Sequence, residues 1–193
     1  MAGFKFDPVR AERLLSSERG RDLPPEVVLD LLSPALGDVV ADVGAGPGFF
    51  ALPLARRVGP QGRVLALDIA PAMLSLLADR AAAAGLGNVE TRVCGESSLP
   101  LPSGECQGIL LAFLVHELAD PPSFAREVRR VLAVGARGLA LDWPCAPSPG
   151  PPQEHRWAPE RAAAWLREAG LEPGEPTVVG RWSCWALPFL RPV

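Results

Sequence analysis

Apolar residues along this chain follow two alternating periods. Residues 39–43 (VVADV) make a short run suited to a strand buried on both faces, and 107–113 is almost wholly apolar in the same way. Residues 63–67, 88–93 and 135–142 predict three further strands. Elsewhere the apolar positions recur at helical spacing, over 49–58, 71–84, 121–132 and 159–169, the last closed by Gly170. Two more helical stretches precede the first strand, at 9–15 and 27–32, the second opened by Asp22 and the pair Pro24-Pro25. An irregular stretch with Pro147, Pro149, Gly150, Pro151 and Pro152 follows the fifth strand, and 177–182 with 185–189 predict a closing antiparallel pair through Ser183-Cys184. Strands alternating with helices give an α/β fold, a mostly parallel sheet covered by helices on both faces.

Composition adds limits rather than chemistry. At 193 residues, 48% hydrophobic and 21% charged, the chain suits a single domain over 1–193, with 1–36 as an N-terminal helical segment. A formal charge of −3 gives no general electrostatic footprint for nucleic acid. Arg10, Arg13, Arg19 and Arg21 stand among Glu12 and Glu18, the pattern of a solvated mixed-charge helix face. Lys5 is the one lysine, tyrosine is absent and prolines number 22, a bias of coding or heat adaptation. Cys94, Cys106, Cys145 and Cys184 have neither metal-ligand nor redox spacing, which predicts buried reduced thiols and no metal site. No apolar leader opens the chain, and its longest apolar run, 108–115, is far short of the ~20 residues of a membrane span. A cytoplasmic protein without a membrane partner is expected.

The candidate chemistry begins at VVADVGAGPGFF (39–50), where strand passes to helix through Gly44, Gly46 and Gly48. Glycines permit turns there that a Cβ would obstruct, and Pro47 suits a first helical turn. Free N–H groups of the following helix would then face the loop and favour a polar or anionic ligand group. A dinucleotide fingerprint needs a small residue at the sixth position from Gly44, and Phe49 occupies it. On this stretch alone a nucleotide site, another cofactor site and a plain glycine-rich turn all stay open.

The pattern D-x-G-x-G-x-G, Asp42 to Gly48, resembles motif I of the class I S-adenosylmethionine (SAM) dependent methyltransferases, whose loop cradles the methionine end of SAM. The likeness extends over VLALDIAPAML, LVHEL, REVRRVLAVGARGLALDW and GPPQEHR, whose order and spacing are similar to a bacterial and archaeal group of small members. It implies a Rossmann-like seven-stranded sheet whose last strand is inserted antiparallel between the fifth and sixth. It also implies SAM as cofactor, S-adenosylhomocysteine as product, and an N-terminal segment lying over the crevice as a lid; the alternative is a helix merely covering a sheet edge. By motif, the implied cofactor residues are Asp42, Gly44, Ala45, Gly46, Gly48, Asp68, Ile69, Glu96, Ser97 and Ala112. Asp68, at the tip of the second strand, can accept ribose hydroxyls or cap the helix over 71–84. Gln107 departs from the aspartate the family commonly has at the start of the fourth strand. Asp120-Pro121-Pro122-Ser123 comes too late for the motif that holds a nucleic-acid amine, and reads as a helix start.

The resemblance leaves the methyl acceptor undefined. His116 follows the fourth strand on the ligand side and can serve as a base for an acceptor proton or as a satisfied structural histidine; His155 falls in the proline-rich loop. Trp143 and Arg156 can line the acceptor pocket under the 147–156 loop, or belong to the core and to an ion pair. The expected activity is methyl transfer, driven by alignment, to a small apolar or aromatic molecule. A SAM-binding regulator without turnover is the alternative. An NAD-type oxidoreductase is disfavoured by Phe49 and the position of Gly48, and a metalloid methyltransferase lacks its cysteine cluster.

Overall fold

The computed structural model describes residues 15–193. Five strands run parallel: β1 (Val39–Val43), β2 (Arg63–Asp68), β3 (Val89–Val93), β4 (Cys106–Ala112) and β5 (Leu132–Asp142). Three more, β6 (Glu172–Pro173), β7 (Thr177–Val179) and β8 (Cys184–Leu190), finish an eight-stranded sheet in the order β3-β2-β1-β4-β5-β8-β6, with β7 also on β8. β8 lies antiparallel to β5, as the resemblance implied. The expected count of seven becomes eight because β6 and β7 share the outer edge of β8, opposite Phe189–Leu190 and Cys184–Ala186 respectively.

Helices α1 (Ser17–Asp22), α2 (Pro25–Leu32), α3 (Ala51–Val58), α4 (Pro71–Ala83), α5 (Pro121–Val131) and α6 (Pro159–Glu168) cover the sheet. Alternate strand residues face opposite ways, so two cores form. Ala41, Val43, Leu65, Leu67, Ile109 and Leu111 pack with Phe124, Val128, Leu166 and Trp165 of α5 and α6. Val40, Val64, Ala66, Leu110 and Leu139 pack with Leu29, Leu32, Leu54 and Val58 of α2 and α3.

Local chemistry explains where the elements start and stop. Asp120 caps α5 by accepting from the Ser123 N–H at 3.1 Å, and a short 3-10 turn, Val115–Glu117, separates it from β4. Asn88 donates to the carbonyls of Ala55 and Gly59, closing α3 before β3 begins. Gln107 takes the Val39 N–H at 2.9 Å, so the family's missing aspartate is replaced by a cap on the central strand. α1 lacks any apolar period and was invisible to the pattern; Ser16 caps it by accepting from the Arg19 N–H. The helix predicted over 9–15 lies almost wholly outside the described residues.

Two expectations need correction. α3 begins at Ala51, two residues later than predicted, after a turn through 46–50. Cys145 is exposed, whereas Cys106 and Cys184 are buried and Cys94 is partly so; all four are free. Burial pushes the Cys94 thiol up to about 11 and those of Cys106 and Cys184 to about 12. Among the described residues no helix is long and apolar enough to cross a membrane, and no cluster with metal-ligand character occurs.

Candidate functional site

The glycine loop leaves β1 with positive φ at Gly44, Gly46 and Gly48, the region only glycine enters freely. The turn directs its amides back onto β2. Gly44 and Ala45 N–H donate to the Leu67 carbonyl at 2.8 and 2.9 Å, Gly46 N–H to Asp68 Oδ2 at 2.8 Å, and Gly48 N–H to the Ala45 carbonyl at 3.0 Å. Pro47 has no N–H, and its carbonyl accepts from the Arg80 guanidinium of α4. Every amide donor from 44 to 48 is thus consumed within the fold. The loop itself thus offers an anion no amide donor; the free N–H groups expected there belong to the first turn of α3, which follows it.

The same edge is strongly acidic. Asp42 is buried, and its Oδ2 has no hydrogen-bond partner. Burial first, then the neighbouring Asp68 charge, pushes the Asp42 carboxyl from 3.8 up to about 7. A buried, unpartnered carboxylate beside a second one calls for a cation. The methionine ammonium of SAM and its sulfonium meet that need, so the residues fit the cofactor by charge.

Asp68 is not the N-cap of α4, a position held by Ala70 with no side-chain cap; it braces the turn before the helix and the glycine loop at the crevice. Its Oδ1 accepts from the Ala70 N–H at 2.9 Å, its Oδ2 from Gly46, and each oxygen keeps a second lone pair for a hydroxyl. Ile69 follows it, 46% exposed despite its apolar side chain. Glu96 and Ser97 form the tip of a tight turn closed by a Gly95–Ser98 bridge after β3. Ala112 ends β4 on the same C-terminal edge of the parallel sheet, with β2 and β1 lying between it and β3. The loop, Asp42 and Asp68 are directly connected; Ile69, Glu96, Ser97 and Ala112 join them only through the shared edge.

A second group stands at the ends of β4 and β5. His116 is buried, and its Nδ1 lies 2.8 and 2.9 Å from the two carboxylate oxygens of buried Asp142. That carboxylate also accepts the backbone N–H of His116 at 3.2 Å and of Trp143 at 2.8 Å. Glu117 Oε1 is 3.7 Å from Nε2. Beside this pair the Phe113 and Trp143 rings lie 4.8 Å apart, and Trp143 and Trp182 lie 5.3 Å apart. Phe113 holds φ at 57°, a strained value for a bulky residue.

Two arginines depart from their expected roles. Arg156 is buried and directs its guanidinium at the carbonyls of Pro144, Ala146, Ser148, Pro149 and Pro151 and at Ser148 Oγ, so it shapes the proline-rich loop instead of reaching into a pocket. Arg19 is no solvated surface charge. Its guanidinium sits 4.4 Å from the Phe49 ring and 5.2 Å from the Phe113 ring, and desolvation lowers its pKa to about 10. Asp142, Phe113, Trp182 and Arg19 escaped the sequence reading. One signal existed for Asp142: it ends a strand just as Asp68 does, with an aromatic residue next.

Comparison with known proteins identifies the family and the fold. Residues 40–135 match a family described as a methyltransferase domain. Nocamycin O-methyltransferase of Saccharothrix syringae is 35% identical over 131 residues, covering 68% of this chain and 45% of that protein. The 2-phytyl-1,4-naphtoquinone methyltransferase of Synechococcus elongatus is 35% identical over 107 residues, 55% of this chain and 46% of its own. The chain therefore spans about half the length of the curated relatives it matches. A crystal structure of a SAM dependent methyltransferase from Aquifex aeolicus superimposes with a TM-score of 0.92 at 32% identity, covering 97% of this chain and all of that one. With its fold, its loop and this match along the full length of a solved member, the chain belongs to the class I SAM-dependent methyltransferases.

Proposed function

We propose that this chain, acting as one domain, transfers the methyl group of SAM to a small apolar or aromatic acceptor. The observation that carries the reading is a juxtaposition: the Phe113, Trp143 and Trp182 rings and the His116–Asp142 pair stand at the same sheet edge as the glycine loop and its two carboxylates. Bound SAM supplies a methyl group already activated on a sulfonium. Asp42 and the loop from Gly44 to Gly48 hold the methionine end, and Asp68 accepts the ribose hydroxyls. Ile69, Glu96, Ser97 and Ala112 line the adenine side. The aromatic rings hold a flat acceptor by stacking and exclude water, so that alignment lowers the barrier. α1 acts as part of a cover, since its Arg19 rests on Phe49 and Phe113.

An NAD-dependent reaction is disfavoured by Phe49 at the position that a dinucleotide loop keeps small and by the two carboxylates beside the loop, while a regulator that binds SAM without turnover makes the same cofactor contacts. Calorimetry with S-adenosylhomocysteine and NAD, followed by assay of S-adenosylhomocysteine release across small acceptors, tests these readings. Binding of the former and not the latter, with acceptor-dependent release, is expected; saturable NAD binding alone would sink the proposal. Trp143→Ala should leave S-adenosylhomocysteine affinity within about threefold of wild type while lowering acceptor turnover at least tenfold. Full turnover in that variant would remove Trp143 from the pocket.

A further inference from the structure

We infer that an arginine-lined cavity at the opposite edge of the sheet binds a condensed phosphate chain, whether the tail of a nucleotide or a free polyphosphate. The cavity measures about 520 Å³ and is bounded by Ser103, Arg126, Arg129, Arg130, Glu168 and Arg191. These residues belong to the connection between β3 and β4, the C-terminal half of α5, the end of α6 and the position that follows β8. The Gly104 N–H donates to the Arg130 carbonyl at 2.9 Å, and Cys106 pairs with Leu132, so the cavity stands where β4 and β5 begin. Ala112 and the methyl-transfer edge lie at the far end of β4, roughly 20 Å along the strand. The site is therefore separate from the SAM crevice.

Four arginines and one acid, Glu168, line this cavity in a chain whose formal charge is −3. Arg126, Arg129 and Arg130 stand three and four residues apart on α5, so their like charges share a face and repel. Support of the fold explains part of the cluster. Arg130 is spent: Glu127 holds its Nε at 2.6 Å and its Nη2 at 2.8 Å, and it donates to the carbonyls of Leu101 and Leu99. Arg191 Nη1 donates to the carbonyls of Arg129 and Leu132. The other donors have no such use. Arg126 hydrogen-bonds through Nη2 to the Ser123 hydroxyl, Arg129 through Nε to the Gly170 carbonyl at a long 3.4 Å, and Arg191 Nε is buried with no partner. Asp120, at the start of the helix, feels the Arg126 charge without pairing with it. Among the described residues no carboxylate forms an ion pair with Arg126, Arg129 or Arg191. Each guanidinium carries five N–H donors in a planar fork suited to paired phosphoryl oxygens. A chain of linked phosphoryl groups offers charge at several successive oxygens and so matches three under-used arginines, where a monoanion matches one. The volume suits a small molecule, and Glu168 at the rim opposes a long polyanion running past it.

Calorimetry on the full chain, with tripolyphosphate, magnesium-free ATP and orthophosphate as probes, tests this. Tripolyphosphate and ATP should each saturate one site below about 1 mM, with orthophosphate at least about tenfold weaker. The tighter of the two names the source, nucleotide or free chain. Saturating S-adenosylhomocysteine should leave both affinities unchanged. The double variant Arg126→Gln, Arg129→Gln should weaken tripolyphosphate at least about tenfold and keep its affinity for S-adenosylhomocysteine. Arg56→Gln with Arg57→Gln removes the same charge from α3, on the other face of the sheet, and should bind tripolyphosphate as wild type does. Glu168→Gln should tighten it by about threefold, a gain that no folding defect would produce. Absence of saturable tripolyphosphate binding, equal weakening in the two double variants, or ATP binding that S-adenosylhomocysteine displaces would each overturn the inference. So would binding of a single-stranded oligonucleotide in place of tripolyphosphate.

Discussion

Replacing Asp42 by asparagine should stabilise the free protein at pH 8 and leave it unchanged near pH 4. The carboxyl is buried with one oxygen unpartnered, and burial with Asp68 nearby raises it from 3.8 to about 7. An unfolded chain releases this proton near the ordinary value, whereas the folded chain keeps it to about pH 7. Between those limits the folded state holds the extra proton, so stability falls as pH rises, by about 1.4 kcal/mol per unit. The cost is absent at pH values below the window and complete above it. Taken over the whole window it approaches about 4 kcal/mol, an upper bound that relaxation and water entry reduce. Half of that corresponds to roughly 4–8 °C in Tm for a protein of this size.

Thermal unfolding of both proteins from pH 4 to 8 reads this directly, with the advantage of the Asp42→Asn variant growing with pH and levelling above 7. The cofactor supplies an independent arm. If the ammonium of S-adenosylhomocysteine pairs with ionised Asp42, protons compete with it, and wild-type affinity should weaken as pH drops below 7, by up to about tenfold per unit. Asp42→Asn should bind more weakly at pH 8 and show little dependence on pH. A constant Tm difference from pH 4 to 8 would refute the buried-charge argument, and identical pH-dependent affinities in both proteins would refute the pairing with ammonium.

Asp68→Ala should weaken S-adenosylhomocysteine binding by about 1.5–3 kcal/mol, the scale of a hydrogen bond to a charged group, and lower Tm because Gly46 and Ala70 lose their acceptor. Unchanged affinity by calorimetry in a folded variant would leave Asp68 a brace for the Gly46 and Ala70 amides only. Gly48→Ala places a Cβ 2.9 Å from Leu77 Cγ at φ +88°, so a loss of about 1–3 kcal/mol in urea unfolding is expected, with weaker cofactor binding. Wild-type stability in that variant would mean that the loop does not depend on this φ. Arg156→Lys replaces a planar donor set by one ammonium that cannot reach the same carbonyls; proteolysis within 144–156 should quicken while S-adenosylhomocysteine affinity stays within about threefold. Unaltered cleavage there would show that the loop holds its shape without Arg156.

The parts of the fold carried by side-chain periodicity were legible in the sequence, and the parts carried by main-chain partners were not. Apolar runs announced β1 to β5, but no period distinguishes a sheet position, so the placing of β8 between β5 and β6 came from resemblance. Arg156 looked like a ligand-binding charge because its acceptors are carbonyls, which every residue possesses and no residue type advertises. Arg19 looked solvated because alternating charges on a short helix say nothing of the aromatic faces that fold against it. The His116–Asp142 pair required knowing that β4 and β5 are adjacent and in which register. The glycine loop is the instructive case, since spacing led to the right family through an incomplete physical reason. The glycines were read as clearing space for a ligand and exposing helix amides to it. What their positive φ values also achieve is to turn the amides of residues 44–46 onto the Leu67 carbonyl and the Asp68 carboxylate. A loop whose donors are spent on the neighbouring strand has none of its own left for a phosphate, while Asp42 and Asp68 beside it favour a positive group, so the proposed preference for a cationic cofactor end rests on where those hydrogen bonds go.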